Sequence, residues 1–405
     1  MTTPRPLIPR PGLFLRRWLR TRNFETPQIG PLRHLLAQYG LDLLSPPSGL
    51  QEGNRSTTVV LETSGGRKVL RQYSQKLGAD TIRMEHSVLH KLATSDFPSP
   101  RLVTTLSQES LVPRDGHHYA LFDFIEGGYH YYHYLFLPSQ TREILQTSGE
   151  LLGRMHAALI DFVAEGNNPD GFDPQTGQRG RDLTWLLAKL TACAETTKGH
   201  TTHAAVERML ATAGPTQGTL EVLHEELGKA DLPRSIIHAD YGPYNLLSRA
   251  TLPPVVLDFE MVRVDWRLVD LLRSWHRFCR DRRGFRTSKM MTFTAGYAKA
   301  VRLEPREIAS VQQLWHFLAL KDAVVEWERW SQGDPTAPPR RLEAELRKCD
   351  WITKNGANVE NLLVPFASPE DQPTRTAVEP VLPVQVPTPD ASAPRPVERD
   401  VELTE

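Results

Sequence analysis

Residues 235–275 read SIIHADYGPYNLLSRATLPPVVLDFEMVRVDWRLVDLLRSW, and the rest of the chain is organised around them. The apolar pair Ile236 and Ile237 runs into a polar loop holding His238, Asp240 and Asn245. The strand-into-carboxylate pattern then repeats at Val255, Val256, Leu257 and Asp258. Asn245 stands five positions after Asp240 and Asp258 thirteen after Asn245, with a histidine two places before the first aspartate. Two strand ends therefore bring proton- and metal-handling groups to one place. After them, Leu268, Leu271, Leu272, Trp275 and Phe278 carry the spacing of an amphipathic helix that opens on Asp270.

Those residue types suit one chemistry. Phosphoryl transfer needs a carboxylate to orient and accept the proton of an attacking hydroxyl, and oxygen ligands to hold Mg²⁺ against nucleotide phosphates. Asp240 fits the first task, and Asn245 with Asp258 fits the second. One carboxylate and one amide carbonyl suffice, because Mg²⁺ keeps waters and phosphate oxygens in its remaining positions. The Asp-to-Asn spacing equals that of the kinase catalytic loop, and Asp258-Phe259 stands where D-F-G would.

On His238, Asp240, Asn245 and the Asp258-Phe259-Glu260 run, the segment resembles the phosphotransferase family of aminoglycoside phosphotransferases, choline kinases and type II homoserine kinases. Asp265 and Asp270-Leu271 resemble that family's downstream G-D-P and D-L-A elements. The resemblance implies an α+β, bilobal protein-kinase-like fold, with a small antiparallel sheet first and a mostly helical lobe after it. It implies ATP and Mg²⁺ as cofactors and a small hydroxylated molecule as acceptor. It gives His238 a buttressing role, and Asp270 reads as the group that ties down loop amides rather than one that meets substrate.

The chain has 405 residues, so two lobes with extensions are expected: an arm over 1–45, a nucleotide-covering sheet over 46–127, a helical lobe over 128–365 and a tail over 366–405. Forty-eight Lys and Arg balance forty-eight Asp and Glu, and this gives no support to nucleic acid or a membrane as partner. Cys193, Cys279 and Cys349 are odd in number and far apart, as expected of a reducing, cytoplasmic setting without a disulfide frame. No run of eighteen apolar residues suggests a transmembrane helix.

Five arginines lie between Arg10 and Arg22, interleaved with Leu13, Phe14, Leu15, Trp18 and Leu19. They read either as an arm packed on its own domain or as a transit or membrane-surface segment. A short helical stripe follows at Leu32, Leu35, Leu36 and Tyr39. From Gly49 the pattern turns to strands, with Val59–Glu62 and Lys68–Arg71 joined by Ser64-Gly65-Gly66, a hairpin signal. The resemblance places the segment around Asn54 and Ser56 over the nucleotide phosphates and Arg71 where a phosphate-pairing lysine is usual. An arginine keeps the charge and adds a fork that can grip phosphate. Lys68, three residues earlier, falls on the opposite strand face. Thr81–Leu92 reads as a helix, and on it Glu85 is the expected partner of Arg71.

Strands are expected at Ser99–Val103 and Tyr119–Ile125, and Glu126-Gly127-Gly128 reads as a hinge or a linker. Tyr131, Tyr132 and Tyr134 form an aromatic cluster that either floors a pocket or packs in a core. Helices are expected over 140–164, with His156 buried and hydrogen-bonded, then over 184–227 with a Gly-Pro-Thr-Gln-Gly turn near Pro215, and over 286–301, 305–330 and 340–352. Asp322, Glu326, Trp327, Glu328 and Trp330 fall on one late helix; the resemblance implies that acids and aromatics on such helices set substrate selectivity, and surface acids are the plainer reading. Residues 166–180 read as a long loop. Ser368–Glu405 holds eight prolines and no aromatic residue, so it is expected to stay disordered, and nothing in it identifies a partner. Two other readings stay open. One is a protein kinase, disfavoured by the dozen residues between Asp258 and Asp270 and the lack of A-P-E; the other is a nucleotide-binding pseudokinase.

Overall fold

The computed structural model describes residues 29–52, 56–127, 130–131, 138–172, 182–197, 203–249, 253–281 and 284–368. The basic arm up to 28, Asn54 and the proline-rich tail from 369 lie outside the described residues. So do Tyr132 and Tyr134 of the aromatic cluster and residues 173–180 of the long loop.

The chain opens with helix α1 (Ile29–Ala37) and an antiparallel sheet of β1 (Ser48–Glu52), β2 (Ser56–Thr63), β3 (Gly66–Tyr73), β4 (Leu102–Val103), β5 (Val112–Arg114) and β6 (His117–Asp123). The strand order is β1-β2-β3-β6-β4, with β5 also on β6. The expected hairpin closes at Thr63 opposite Gly66, and Gly66 adopts a φ of 87°, open to glycine at no steric cost. Alternate residues Val59, Leu61, Leu70 and Leu121 face one side and are covered by Leu32, Leu35 and Leu36 of α1, making a small core of their own. Helix α2 (Ala79–Thr94) packs on the other side, burying Ile82, Met84, Val88 and Leu92 in the large core.

The second half is helical: α3 (Pro138–Leu159), α4 (Leu183–Thr197), α5 (Ala204–Ala211) and α6 (Ala213–Lys229) precede the short strands β7 (Arg234–Ile237), β8 (Leu246–Leu247), β9 (Val255–Val256) and β10 (Arg263–Trp266). Then come α7 (Leu268–Phe278), β11 (Arg280–Asp281), β12 (Gly284–Phe285), α8 (Thr287–Tyr297), α9 (Pro305–Ala309), α10 (Val311–Ser331) and α11 (Pro339–Leu363). Helices α3 and α8 nearly touch through glycines: a Cβ at Gly149 would lie 1.9 Å from the Phe293 carbonyl oxygen, and one at Gly296 would lie 2.1 Å from that of Gln146.

Three expectations are corrected. Pro215 does not end a helix; it sits in the first turn of α6, where backbone N–H groups have no intrahelical acceptor to lose. The span 305–330 is two helices that meet at Ser310, and the last helix runs on to Leu363. No helix among the described residues is long and apolar enough to cross a membrane. Cys193, Cys279 and Cys349 are free and buried.

Candidate active site

Strand β7 delivers the polar loop. Ile236 and Ile237 are buried, and β7 pairs antiparallel with β10, Ile237 opposite Arg263. At its end the backbone turns into the left-handed region at Ala239, φ 65°, a conformation costly for a residue with a Cβ. Asp270, in the first turn of α7, holds that turn: its carboxylate accepts the amides of His238 at 2.7 Å and Ala239 at 2.8 Å. His156 Nε2 lies 3.2 Å from the same carboxylate, and Tyr297 Oη lies 2.9 Å from His156 Nδ1. Burial alone would push the Asp270 carboxyl up, but the His156 bond, the nearby His156 and His238 and the His238 amide together hold it below the usual range. The histidine expected to be buried and bonded is both, and Asp270 ties the loop amides.

His238 is spent on the backbone. Its Nδ1 accepts the Asp240 amide at 3.2 Å, which leaves Nε2 to donate to the Leu257 carbonyl at 3.0 Å. The ring also lies 4.8 Å from that of Phe259, so it spans the two strand ends instead of reaching toward the cleft.

Asp240 projects from this loop with its side chain 28% exposed. One oxygen accepts from Arg277 at 2.5 Å and from the Tyr244 hydroxyl at 3.2 Å, and the other accepts from Asn245 Nδ2 at 3.0 Å. Asn245 closes the 3-10 turn Pro243–Asn245, and its Nδ2 also donates to the Asp240 carbonyl at 2.9 Å. With its nitrogen so used, the amide oxygen is the group left for a cation. The second strand end is fastened to the first: β8 pairs with β9, and the Leu257 amide donates to the Asn245 carbonyl at 2.8 Å. Asp258 follows at φ 64°, beside the buried Phe259.

From the sheet, Arg71 reaches Glu85 of α2 at 2.7 Å, and Tyr73 donates to the other Glu85 oxygen at 3.0 Å. Burial works against both charges. It pushes the Glu85 carboxyl up, while the negative charges of Glu85, Asp258 and Glu260 hold the Arg71 proton more firmly. The arginine stays charged, since a guanidinium does not lose its proton near neutrality. Arg71 Nε is buried without a hydrogen-bond partner, a donor suited to an anionic oxygen. Lys68 turns away and pairs with Asp123 at 2.6 Å. Ser56 donates to Glu260 at 3.2 Å, which draws the start of β2 to the segment after Asp258.

Two groups around Asp240 escaped the sequence reading. Arg277 lies seven residues after Asp270, on the same face of α7, but an arginine late in an amphipathic helix reads as solvated surface. Tyr244 sits inside the Asp-to-Asn spacing, where any residue fits the pattern. The reading of the late acids as surface groups is corrected. Asp322 bonds Arg273 at 3.2 Å and Lys348 at 3.0 Å, Glu328 pairs with Lys189, and Trp327 is fully buried. Tyr131 packs against the large core. Gly127 abuts Leu247, whose side chain would lie 2.4 Å from a Cβ there.

Among the described residues no three His, Cys, Asp or Glu side chains cluster as a metal site. A hard cation shared with phosphates asks for less, and one carboxylate with one amide oxygen fits it.

The fold and these strand-end groups define a phosphotransferase of protein-kinase-like architecture that acts on small hydroxylated molecules. A model of the phosphotransferase enzyme family, APH, matches residues 48–311, and the chain belongs to that family. Homoserine kinase of Methylorubrum populi is 26% identical over 324 residues, covering 78% of this chain and 91% of that one. A microcompartment-associated aminopropanol kinase superposes with a TM-score of 0.58 at 18% identity, covering 82% of this chain and 99% of that one. An amicoumacin kinase in complex with AMP-PNP and Ca²⁺ gives 0.55 at 11% identity, covering 83% and 93%.

Proposed function

We propose that the chain transfers the γ-phosphoryl group of ATP to a hydroxyl of a small molecule, with Asp240 as the group that orients the hydroxyl and takes its proton. The observation that carries this reading is the anchoring of Asp240. Arg277, Tyr244 and Asn245 each bond its carboxylate, so it stands at a fixed angle at the mouth of the cleft. Positioning of this kind supplies most of what phosphoryl transfer asks of a protein.

The nucleotide side follows from chemistry already described. Arg71, kept in place by Glu85, offers its unpartnered Nε to a phosphate oxygen. Ser56, and Asn54 by its place in the sequence, would cover the phosphates from β2. Asn245 Oδ1 and the Asp258 carboxylate would hold Mg²⁺, which when bound neutralises charge that develops on the transferring group. That an amicoumacin kinase of the same fold was captured with AMP-PNP supports ATP as the donor.

Asp240→Ala should lower acceptor-dependent ADP release at least about a thousandfold, the upper part of the range for losing a base together with positioning. Its Mg²⁺-AMP-PNP affinity should stay within about threefold of wild type, or about 0.7 kcal/mol. Equal ADP release by variant and wild type across amino alcohols, hydroxy amino acids and sugars would remove Asp240 from the chemistry.

A further inference from the structure

Helices α7, α10 and α11 enclose a cavity of about 380 Å³ that opens beside the proposed base. Arg277 belongs to both: it lines the cavity and bonds Asp240. The lining is densely charged. Arg273, Arg277, Arg341 and Lys348 face Asp322, Glu326 and Glu345. The lining by itself thus carries one positive charge in excess.

Each carboxylate is paired with a protein cation. Asp322 bonds Arg273 and Lys348, Glu345 contacts Lys348, and Glu326 bonds Arg329 at 2.9 Å. Burial would raise the Asp322 carboxyl, yet Arg273 and Lys348 hold it well below the usual range. A polycationic acceptor would therefore find Asp322, Glu326 and Glu345 each already paired, with single oxygens of Glu326 and Glu345 left without a hydrogen bond, and would meet the excess positive charge of the lining. Donors are left over too. Arg273 Nε is buried with no hydrogen-bond partner, and His276 Nδ1 is likewise unpartnered. Arg277 spends one N–H on Asp240 and one on the Tyr241 carbonyl, out of five that a guanidinium carries. Arg341 lies at the rim, 53% exposed, with only a 3.8 Å contact to Glu326.

We propose that this cavity is the acceptor pocket and that it selects a small hydroxylated molecule bearing an anionic group, a carboxylate or a phosphate ester, gripped by Arg277 and Arg341 with Arg273 behind them. The inference rests on the kinase reading of Asp240. Because Arg277 is itself anchored to Asp240, an anion docked on it leaves a hydroxyl a few bonds away within reach of the base. The volume suits a molecule the size of an amino acid or a triose phosphate.

Calorimetry on the full chain with saturating Mg²⁺-AMP-PNP tests this with matched probes. L-Homoserine is compared with 3-amino-1-propanol, which lacks only the carboxylate, and glycerol 3-phosphate is compared with glycerol. In at least one pair the anionic member should bind ten times more tightly or better, and the pair that responds tells carboxylate from phosphate. Arg277→Gln should collapse that preference, and so should Arg341→Gln, a rim substitution that leaves the core intact. Equal or tighter binding of the uncharged or purely cationic members, no binding by either anion, or a preference that survives both substitutions would overturn the inference. Failure of Mg²⁺-AMP-PNP itself to bind would overturn the kinase reading instead, and this proposal with it.

Discussion

Arg71 and Glu85 form a nearly dry ion pair, with side chains 16% and 2% exposed. Removing one partner strands the other charge. Arg71→Ala should lower stability by about 3–5 kcal/mol in urea unfolding, where a buried pair loses one member, and should weaken nucleotide binding as well. Glu85→Gln should cost a comparable amount, because it leaves the Arg71 guanidinium without a counter-charge. A cost below about 1 kcal/mol for both would mean that the pair is not buried as described. The pair was legible in sequence because the chain keeps the strand-then-helix order of the family it resembles. Arg277 was not, since its role depends on two helical turns folding back over the loop, a contact that no local pattern records.

One buried histidine, His86, and one half-buried, His276, give the protein a pH signature. Burial, reinforced by Arg71 near His86 and by Lys348 near His276, lowers both pKa values to about 3. The unfolded chain takes up these protons near pH 6.5 and the folded chain does not, so each neutral ring contributes stability above about 6.5 that is lost as pH falls toward 3. Each contributes a slope of at most about 1.4 kcal/mol per pH unit. Denaturant midpoints should fall steadily between pH 7 and 5, and His276→Gln should flatten the trend. A midpoint independent of pH in that range would show that these rings are solvated.

At the scale of elements, glycine separates close contact from open surface. Gly149→Ala forces a methyl onto the Phe293 carbonyl and should destabilise by about 1–3 kcal/mol, the cost of an overpacked core, or by more if α3 and α8 cannot part. Gly218→Ala, inside α6 with no heavy atom within 4 Å of its Cβ, should stabilise by about 0.5–1 kcal/mol. Thermal melts of the two variants should move in opposite directions, and a shared sign would contradict the packing described.

Elements with a strong period were readable: the β2–β3 hairpin, α2, α3 and α7 all lie where apolar spacing puts them. Those that were missed have no period to read. Strands β5, β11 and β12 are two or three residues long and are set by their partners. The Gly-Pro-Thr-Gln-Gly run misled because composition alone does not tell a turn from a helix's first turn, where proline is tolerated.

In the whole molecule, a sheet with its own small core and a helical body meet where the groups of the proposed site lie. Arg71 and Ser56 come from the sheet, Glu85 from α2, and Asp240, Asn245 and Asp258 from two strand ends in the helical half. The proposed catalytic groups could be put together from sequence because Asp240, Asn245 and Asp258 lie within one short stretch. The acceptor half was not, because α7, α10 and α11 assemble their charges from segments as far apart as Arg273 and Lys348.

The central claim is that a magnesium-bound triphosphate is held between the two strand ends. Calorimetric titration of AMP-PNP into wild type and Asp258→Ala, each with Mg²⁺ and with EDTA, tests it most directly. Wild-type affinity should fall at least about tenfold when the metal is removed, or about 1.4 kcal/mol, and Asp258→Ala should bind as weakly with Mg²⁺ as wild type does without it. An Asp258→Ala affinity equal to wild type in Mg²⁺ would contradict the account.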